Sequence, residues 1–302
     1  MSRSYPPHTS SQTPDPAAVK PVSLIECPRD AMQGWPHIIP TKKKIDYLNA
    51  LLKVGFDTLD FGSFVSPHAI PQMADTAEVL AGLDLRDSHT RLLAIVANFR
   101  GAEEAASHDA IRYLGFPFSV SETFQLRNTN KTIEGSFATV EEILELCIKM
   151  DKELVVYLSM GFGNPYGDPW SEDVVFEWAD DLSRLGVRTL SLADTVGLAT
   201  PEQVFLLTDY LVRELPGHTI GVHLHSTHHN RKAKIDAALQ AGCRRFDGAL
   251  KGIGGCPMAG DELVGNMDTE WMIPYLEKQH LLPGINNTAL QESLRLATEI
   301  FV

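Results

Sequence analysis

The sequence lacks long apolar runs, and it has little cysteine and little positive charge. No apolar stretch approaches the ~20 residues of a membrane-spanning helix, so no membrane partner is expected. Lysine and arginine number 26 against 39 aspartates and glutamates, a formal net charge of −13. A field of this sign repels phosphate backbones and argues against nucleic acid as a partner. The four cysteines show no CxxC spacing, which indicates a reducing compartment, and the cytoplasm is the expected location.

The first twenty residues contain four prolines and no apolar stretch of signal-peptide length. Such a segment cannot bury enough apolar surface to fold, so residues 1–20 are expected to form a disordered arm. Residues 21–302 are long enough for two small domains or for one large α/β unit. Composition does not decide between these, because 44% apolar and 22% charged residues are close to the averages of soluble globular chains.

From residue 21 onwards, short β-branched or aliphatic runs alternate with longer stretches of helical periodicity. The predicted strands are 22–26, 57–61, 91–96, 111–116, 153–159, 187–192, 219–224 and 245–250. The predicted helices are 41–53, 69–80, 101–108, 136–150, 171–184, 201–214 and 228–241. This alternation predicts an α/β (β/α)₈ TIM barrel over 21–302, with additional C-terminal helices from about 266. A doubly wound sheet is the alternative, but it needs a phosphate loop after the first strand, and CPRDAMQG is not one.

Polar side chains recur where the predicted strands end. They are Arg29 and Asp30 after the first strand, Asp60 on the second, Asp194 after the sixth, His223 and His225 at the seventh, and Asn266 after the last. In a TIM barrel the carboxyl ends of the strands, and the loops that follow them, carry the chemistry. We therefore expect these side chains to surround one cavity.

His223 and His225 are separated by a single residue at the end of the seventh strand. In an extended segment such residues point to the same face, so both imidazoles can reach one ion. The alternative is one buried core histidine and one solvated histidine. Asp30 and Asn266 supply oxygen ligands from other strand ends. The resulting N₂O₂ set suits a divalent cation, with Mg²⁺ or Mn²⁺ expected and Zn²⁺ or Co²⁺ as alternatives.

Arg29 stands directly before Asp30, and this pair has two interpretations. The two residues form a structural salt bridge, or Arg29 neutralises an oxyanion while Asp30 holds a metal. The second interpretation explains how an acidic chain attracts an acidic substrate. Cys256 lies among three glycines in 252–257. This pattern is typical either of a plain turn or of a mobile loop that brings a thiol over the site.

Several motifs between about residues 22 and 280 resemble one enzyme family. They are ECPRDAMQ at 26–33, SFVSP at 63–67 with PQMAD at 71–75, SETFQLRNTN at 121–130, LADTVGLATP at 192–201, VHLH at 222–225 and GIGGCP at 252–257. The sequence resembles the 3-hydroxy-3-methylglutaryl-CoA lyase family, within the wider group of metal-dependent (β/α)₈ lyases, aldolases and acyltransferases. The SFVSP and PQMAD pair and the glycine-flanked cysteine are specific to the lyase branch.

The resemblance implies a carbon–carbon lyase that acts on an acyl-CoA thioester. The implied reaction is the retro-Claisen cleavage of 3-hydroxy-3-methylglutaryl-CoA to acetyl-CoA and acetoacetate, as in leucine degradation. A homodimer is the expected assembly. The ligands of the divalent cation, by the same resemblance, are Asp30, His223, His225 and Asn266.

Other positions correspond by resemblance to catalytic or substrate-binding residues. Arg29 would stabilise the thioester enolate, His223 would transfer a proton, and Cys256 would act as acid or base on its loop. The further matches are Asp194 and Asp60 for catalysis, and Arg29, Gln33 and Ser66 for substrate binding.

Three substitutions and one insertion depart from the family pattern. Asp60 stands where the lyases have glutamate, Ser226 where an aspartate follows the second histidine, and Pro36 where the family has lysine. The spacing from Cys256 to Asn266 is one residue longer than in the family. These changes bear on acyl-group specificity, and Trp35 and Phe61 are expected to shape a pocket for a different branch at C3.

Three alternatives to this lyase stay open at the level of sequence. One is a lyase or aldolase of the same group with another acyl-CoA, such as a longer-branched 3-hydroxyglutaryl-CoA, or with a 2-oxo acid. Another is a condensing acyltransferase, which is disfavoured because such enzymes add a regulatory domain that 302 residues cannot hold. The last is a non-catalytic binding protein on the same barrel, which an intact metal-ligand set argues against.

Overall fold

The computed structural model describes residues 20–255, 264–282 and 284–302. Its eight strands close into a parallel barrel in which each strand pairs with the next in sequence and the last pairs with the first. The strands are β1 (Ser23–Glu26), β2 (Thr58–Phe64), β3 (Arg91–Val96), β4 (Ile111–Ser119), β5 (Glu153–Ser159), β6 (Thr189–Ala193), β7 (Thr219–His223) and β8 (Arg245–Gly248). The predicted TIM barrel is confirmed. The predicted arm up to residue 19, and Cys256, lie outside the described residues.

Eleven α-helices occur in the described part of the chain. They are α1 (Pro28–Gln33), α2 (Thr41–Leu51), α3 (Thr76–Ala81), α4 (Phe99–Ala106), α5 (Glu122–Thr129), α6 (Ile133–Lys149), α7 (Glu172–Leu185), α8 (Pro201–Glu214), α9 (Arg231–Gln240), α10 (Thr269–Glu277) and α11 (Asn287–Ile300). Hydroxyl side chains cap several helices, as at α8, where Thr200 and Gln203 form a capping box. None of these helices is both long and apolar enough to span a membrane.

The structure adds two helices that the sequence pattern did not predict. Helix α1 has only six residues, starts at Pro28 and follows β1 almost directly. Helix α5 is short, largely polar and weakly amphipathic, so periodicity gives no signal for it. The helix predicted over 69–80 is in fact a 3₁₀ turn, Pro71–Met73, followed by α3. Thr76 separates the two because its hydroxyl donates to the carbonyl of Met73 and accepts from the amide of Ser63 on β2.

The main apolar core lies between the outer face of the barrel and the surrounding helices. A separate apolar cluster inside the barrel consists of Leu93, Val155 and Tyr157, with Ile95 and Tyr113 packed against it. Buried polar residues also lie inside the barrel near this cluster, where Arg245 on β8 donates to Asp247 at 2.7 Å and its guanidinium lies 5.8 Å from the ring centroid of Tyr157.

Candidate active site

A cavity of about 490 Å³ opens at the carboxyl ends of the strands. Residues at or just after the ends of β1 to β7 contribute to its lining, which is the arrangement expected of a TIM-barrel active site. Arg29, Asp30, His223 and His225 are among its polar lining residues, and Ile95, Ala97 and Pro117 contribute to its apolar wall.

Three of the four predicted metal ligands, Asp30, His223 and His225, line this cavity, and the fourth, Asn266, contacts Asp30. One ligand atom from each of Asp30, His223 and His225 lies within 4.8 Å of the others. The Asn266 side-chain amide donates to Asp30 Oδ2 at 2.7 Å and to the carbonyl of Ile253 at 2.9 Å. Its carbonyl oxygen Oδ1 is buried and has no hydrogen-bond partner among the described residues. An amide oxygen without a partner, on a side chain that contacts Asp30 and belongs to a residue bridged to His225, fits a divalent cation that all four side chains would coordinate.

The electrostatics of the site keep Asp30 and His225 in the forms that bind metals. Burial opposes the charge on Asp30, but Arg29 and the two histidines outweigh it and lower the pKa of Asp30 to about 2. Burial, reinforced by His223, lowers the pKa of His225 to about 4. At neutral pH the site therefore presents a carboxylate and a neutral imidazole, as metal binding requires.

Arg29 is held by two carboxylates. Its Nη2 lies 2.5 Å and its Nε 3.0 Å from Asp60 Oδ2, and its Nη1 lies 3.0 Å from Asp30 Oδ1. Asp60 is almost fully buried behind Arg29 and is not among the cavity-lining residues. Gln33 lines the cavity and donates to Asp30 Oδ1 at 2.9 Å. The Arg29–Asp30 salt bridge is therefore present, and it orients a guanidinium that faces the cavity, while the role of Arg29 at an oxyanion stays a prediction.

Asp194 lies beside the cavity and does not line it. Its carboxylate accepts from Lys234 Nζ at 2.7 Å and from the amide of Ala199 at 2.9 Å. Lys234 Nζ also donates to the carbonyl oxygen of His225 at 2.7 Å. Lys234 and Asp194 are essentially inaccessible to solvent, so this ion pair anchors the backbone of a metal-ligand candidate from below.

The family model described as HMGL-like matches residues 24–296. The chain belongs to the HMGL-like family. Over 273 residues it is 33% identical to the cytoplasmic 3-hydroxy-3-methylglutaryl-CoA lyase of Rattus norvegicus, covering 90% of this chain and 79% of the rat protein. It is also 33% identical to the hydroxymethylglutaryl-CoA lyase YngG of Bacillus subtilis, covering 85% of each protein.

A solved structure of an HMG-CoA lyase from Acinetobacter baumannii, in complex with coenzyme A and 3-methylmalate, superposes with a TM-score of 0.86. The two chains are 33% identical, and the match covers 93% of this chain and 91% of the other. Relatives of this HMGL-like protein are carbon–carbon lyases, and the chain is an enzyme of that class.

Two aromatic residues that were predicted to shape the substrate pocket of this HMGL-like protein lie away from the cavity. Ser66 lines the cavity, but Trp35 and Phe61 do not. Trp35 packs edge-on against Phe301 at 5.2 Å between ring centroids, and Phe61 is buried in the outer core. The prediction that these two aromatic residues shape the C3 pocket is therefore not supported by their positions. The apolar wall belongs to other side chains.

The PQMAD motif has a structural explanation in this HMGL-like enzyme. Gln72 accepts from the amide of Ile39 at 2.9 Å and donates to the carbonyl of His37 at 3.0 Å. Asp75 pairs with the buried Lys44 on α2 at 2.6 Å. These contacts fasten the loop that follows α1, the helix that carries Arg29 and Asp30, so the motif supports the site without entering it.

Four residues that support or line the site were not identified from the sequence. They are Asp247, Arg245, Lys234 and Tyr157. Arg245 and Asp247 are the first and third residues of the predicted strand 245–250, where an alternating polar residue also fits an exposed face. The signal that links them to the site is their spacing of two residues, which puts both on one face of β8, beside the end of the neighbouring strand that carries His223. That signal becomes decisive only once the barrel is closed and β7 pairs with β8.

Proposed function

We propose that this protein is a divalent-metal-dependent lyase that cleaves 3-hydroxy-3-methylglutaryl-CoA, or a close analogue, to acetyl-CoA and acetoacetate. The observation that carries the proposal is that Asp30, His223 and His225 converge beside Arg29 at the cavity, with Asn266, whose amide oxygen has no partner, in contact with Asp30. The relatives named as HMG-CoA lyases support the choice of substrate. The CoA complex of a structural neighbour supports an acyl-CoA ligand.

In this proposal Asp30, His223, His225 and Asn266 hold Mg²⁺ or Mn²⁺, with Zn²⁺ or Co²⁺ as alternatives. The chemistry that such an ion supplies is acidification of a coordinated hydroxyl group. The acyl group places its tertiary hydroxyl and carboxylate toward these four side chains. Gln33 and Ser66, which line the same cavity, contact the acyl chain.

The residues around the acyl group then transfer protons and stabilise one developing negative charge. A base removes the hydroxyl proton, the bond between C2 and C3 breaks, and its electron pair forms the thioester enolate while the hydroxyl oxygen becomes the ketone of acetoacetate. Arg29 faces the cavity and stabilises the enolate oxygen. Three of its five N–H donors are engaged by Asp60 and Asp30, and two remain for substrate. Cys256 delivers a proton to the enolate carbon.

A longer aliphatic branch at C3 is the second candidate for the acyl group. Ile95, Ala97 and Pro117 give the cavity an apolar wall against which such a branch can pack. Each additional buried methylene contributes roughly 0.8 kcal/mol to binding. A lyase for a longer-branched 3-hydroxyglutaryl-CoA uses the same metal and arginine chemistry and differs only at this wall.

We further propose a cytoplasmic homodimer. The cytoplasmic relative in rat supports the location, and the three described cysteines are all free thiols. Light scattering on the purified protein tests the dimer, and fractionation of the source cells tests the location.

The decisive experiment compares metal-stripped enzyme with enzyme reloaded with Mg²⁺ or Mn²⁺. Each is incubated with 3-hydroxy-3-methylglutaryl-CoA and, separately, with an analogue that carries a longer C3 branch. Metal-dependent release of acetoacetate and acetyl-CoA supports the first proposal. Cleavage of the analogue alone supports the second. Failure to cleave either thioester overturns both.

A further inference from the structure

A buried chain of polar side chains extends from His223 into the barrel. His223 Nδ1 lies 3.2 Å from Asp247 Oδ2, and the other oxygen of Asp247, Oδ1, accepts from Arg245 Nη1 at 2.7 Å. Asp247 has no exposed side-chain surface, and Arg245 is almost fully buried. The two residues lie on β8, and Asp247 pairs in register with His223 on β7. The contact is therefore built into the strand pairing and does not depend on a loop.

The hydrogen bond to Asp247 decides which nitrogen of His223 faces the cavity. A carboxylate only accepts hydrogen bonds, so His223 Nδ1 carries the proton and donates it. The ring nitrogen that remains for a metal is Nε2, and His223 offers one ligand atom to the group with Asp30 and His225. Carboxylates that hold a ligating histidine in this way fix its tautomer and increase its basicity as a ligand.

Arg245 explains how a carboxylate is tolerated at this depth. A buried, unpaired carboxylate is strongly unfavourable, and a paired one is retained when its remaining lone pairs are satisfied. Arg245 satisfies Asp247 Oδ1, and its guanidinium lies 5.8 Å from the ring centroid of Tyr157. Tyr157 in turn packs edge-on against His223 at 5.9 Å between ring centroids. The four side chains form one packed unit, of which His223 and Tyr157 line the cavity.

The same contacts exclude a competing metal group. Cys27, His223 and Asp247 also place one ligand atom each within 4.8 Å of one another. His223 Nδ1, the nitrogen beside Asp247, donates to Asp247 Oδ2 and so has no lone pair for an ion in this group. Cys27 is buried and does not line the cavity. The group that opens to the cavity is the one with Asp30 and His225.

We infer that Asp247, clamped by Arg245, is a positioning residue that holds His223 with Nδ1 protonated and Nε2 directed to the metal. The inference rests on the proposed function for the presence of that metal. The inference also limits His223 to the role of a metal ligand. A histidine that donates through Nδ1 and ligates through Nε2 has no free nitrogen, so it does not transfer a proton while the ion is bound. Proton transfer in the lyase reaction then falls to another group.

The test measures Mn²⁺ affinity directly, by titration calorimetry or by electron paramagnetic resonance of free Mn²⁺, without substrate. Asp247→Ala removes the acceptor and is expected to weaken binding by roughly 10- to 100-fold. Asp247→Asn keeps an acceptor for Nδ1 and is expected to weaken it less. Because these variants leave Arg245 unpaired, the double variant Arg245→Met/Asp247→Asn provides a folded form without the buried charge.

Ile143→Ala serves as the matched control, because Ile143 is fully buried on α6 and does not line the cavity. It lowers stability without contacting His223, so wild-type Mn²⁺ affinity is expected. Equal loss of affinity in this control and in Asp247→Ala would reduce the role of Asp247 to general stability and overturn the inference.

A spectroscopic readout tests the tautomer itself. In protein labelled with ¹⁵N-histidine, His223 is expected to show a protonated Nδ1 and a non-protonated Nε2, with Nε2 responding to the metal. The opposite tautomer, or unchanged affinity in Asp247→Ala, overturns the inference and leaves the proposed function intact. Wild-type protein that binds no Mn²⁺ overturns the proposed metal centre together with the inference.

Discussion

Replacing Lys234 by methionine tests the buried ion pair below the candidate site. Lys234 and Asp194 are 0% and 1% exposed in their side chains, and 2.7 Å separates Lys234 Nζ from Asp194 Oδ2. Removing one partner of such a pair leaves an uncompensated buried charge and costs about 3–5 kcal/mol. The carbonyl of His225 loses its donor in the same step. We expect the free energy of unfolding of Lys234→Met to fall by about this amount, with a drop in melting temperature on the order of 10 °C.

The assay is urea unfolding at neutral pH, followed by circular dichroism and tryptophan fluorescence. Lys42→Met is the matched control, because Lys42 forms an exposed ion pair with Asp46 on α2 and its side chain is 84% exposed. Such surface pairs contribute less than about 1 kcal/mol. Lys234→Met/Asp194→Asn removes both charges, and we expect it to recover at least about 2 kcal/mol of the loss.

Two outcomes would refute this reasoning. One is a stability of Lys234→Met within about 1 kcal/mol of wild type. The other is a double variant no more stable than the single one.

The other predictions concern four single substitutions. Burial raises the pKa of Glu26 from 4.5 to about 8, so the folded state holds a proton that the unfolded state releases, and the free energy of unfolding falls as pH rises through this window. Glu26→Gln should remove this pH dependence. If the free energy of unfolding, measured by urea titration at about pH 5 and about pH 9, changes by the same amount in Glu26→Gln and in the wild type, the reasoning is contradicted. His225→Ala should lose the metal, and wild-type metal content by elemental analysis would remove this residue from the ligand set. Cys256→Ser should reduce turnover far more than metal content, and parallel losses would argue against a proton-transfer role. Gln72→Ala should release the loop at 34–40, seen as faster amide exchange at Ile39, whose amide loses its acceptor, and unchanged exchange would show that other contacts hold it.

The strand pattern was predictable because each strand of a parallel barrel is buried on both faces. Continuous aliphatic runs such as 91–96 and 153–159 match β3 and β5 residue for residue. Helices with strong amphipathic patterns were predictable for a similar reason, as at 201–214, which coincides with α8. Helices α1 and α5 were missed because each is short and is stabilised by its place at the barrel end, which leaves no periodic signal in the sequence.

The sequence by itself determined the barrel, the position of the chemistry at the strand ends and the pairing of two histidines at i and i+2. These are local properties, since burial periodicity and extended spacing depend only on neighbouring residues. Only the tertiary structure decided which charged side chains pair with one another. It showed that Asp60 holds Arg29, that Asp194 pairs with Lys234, and that Asp247 on β8 holds His223 on β7. These partners are 31, 40 and 24 residues apart, and closing the barrel is what brings them into contact.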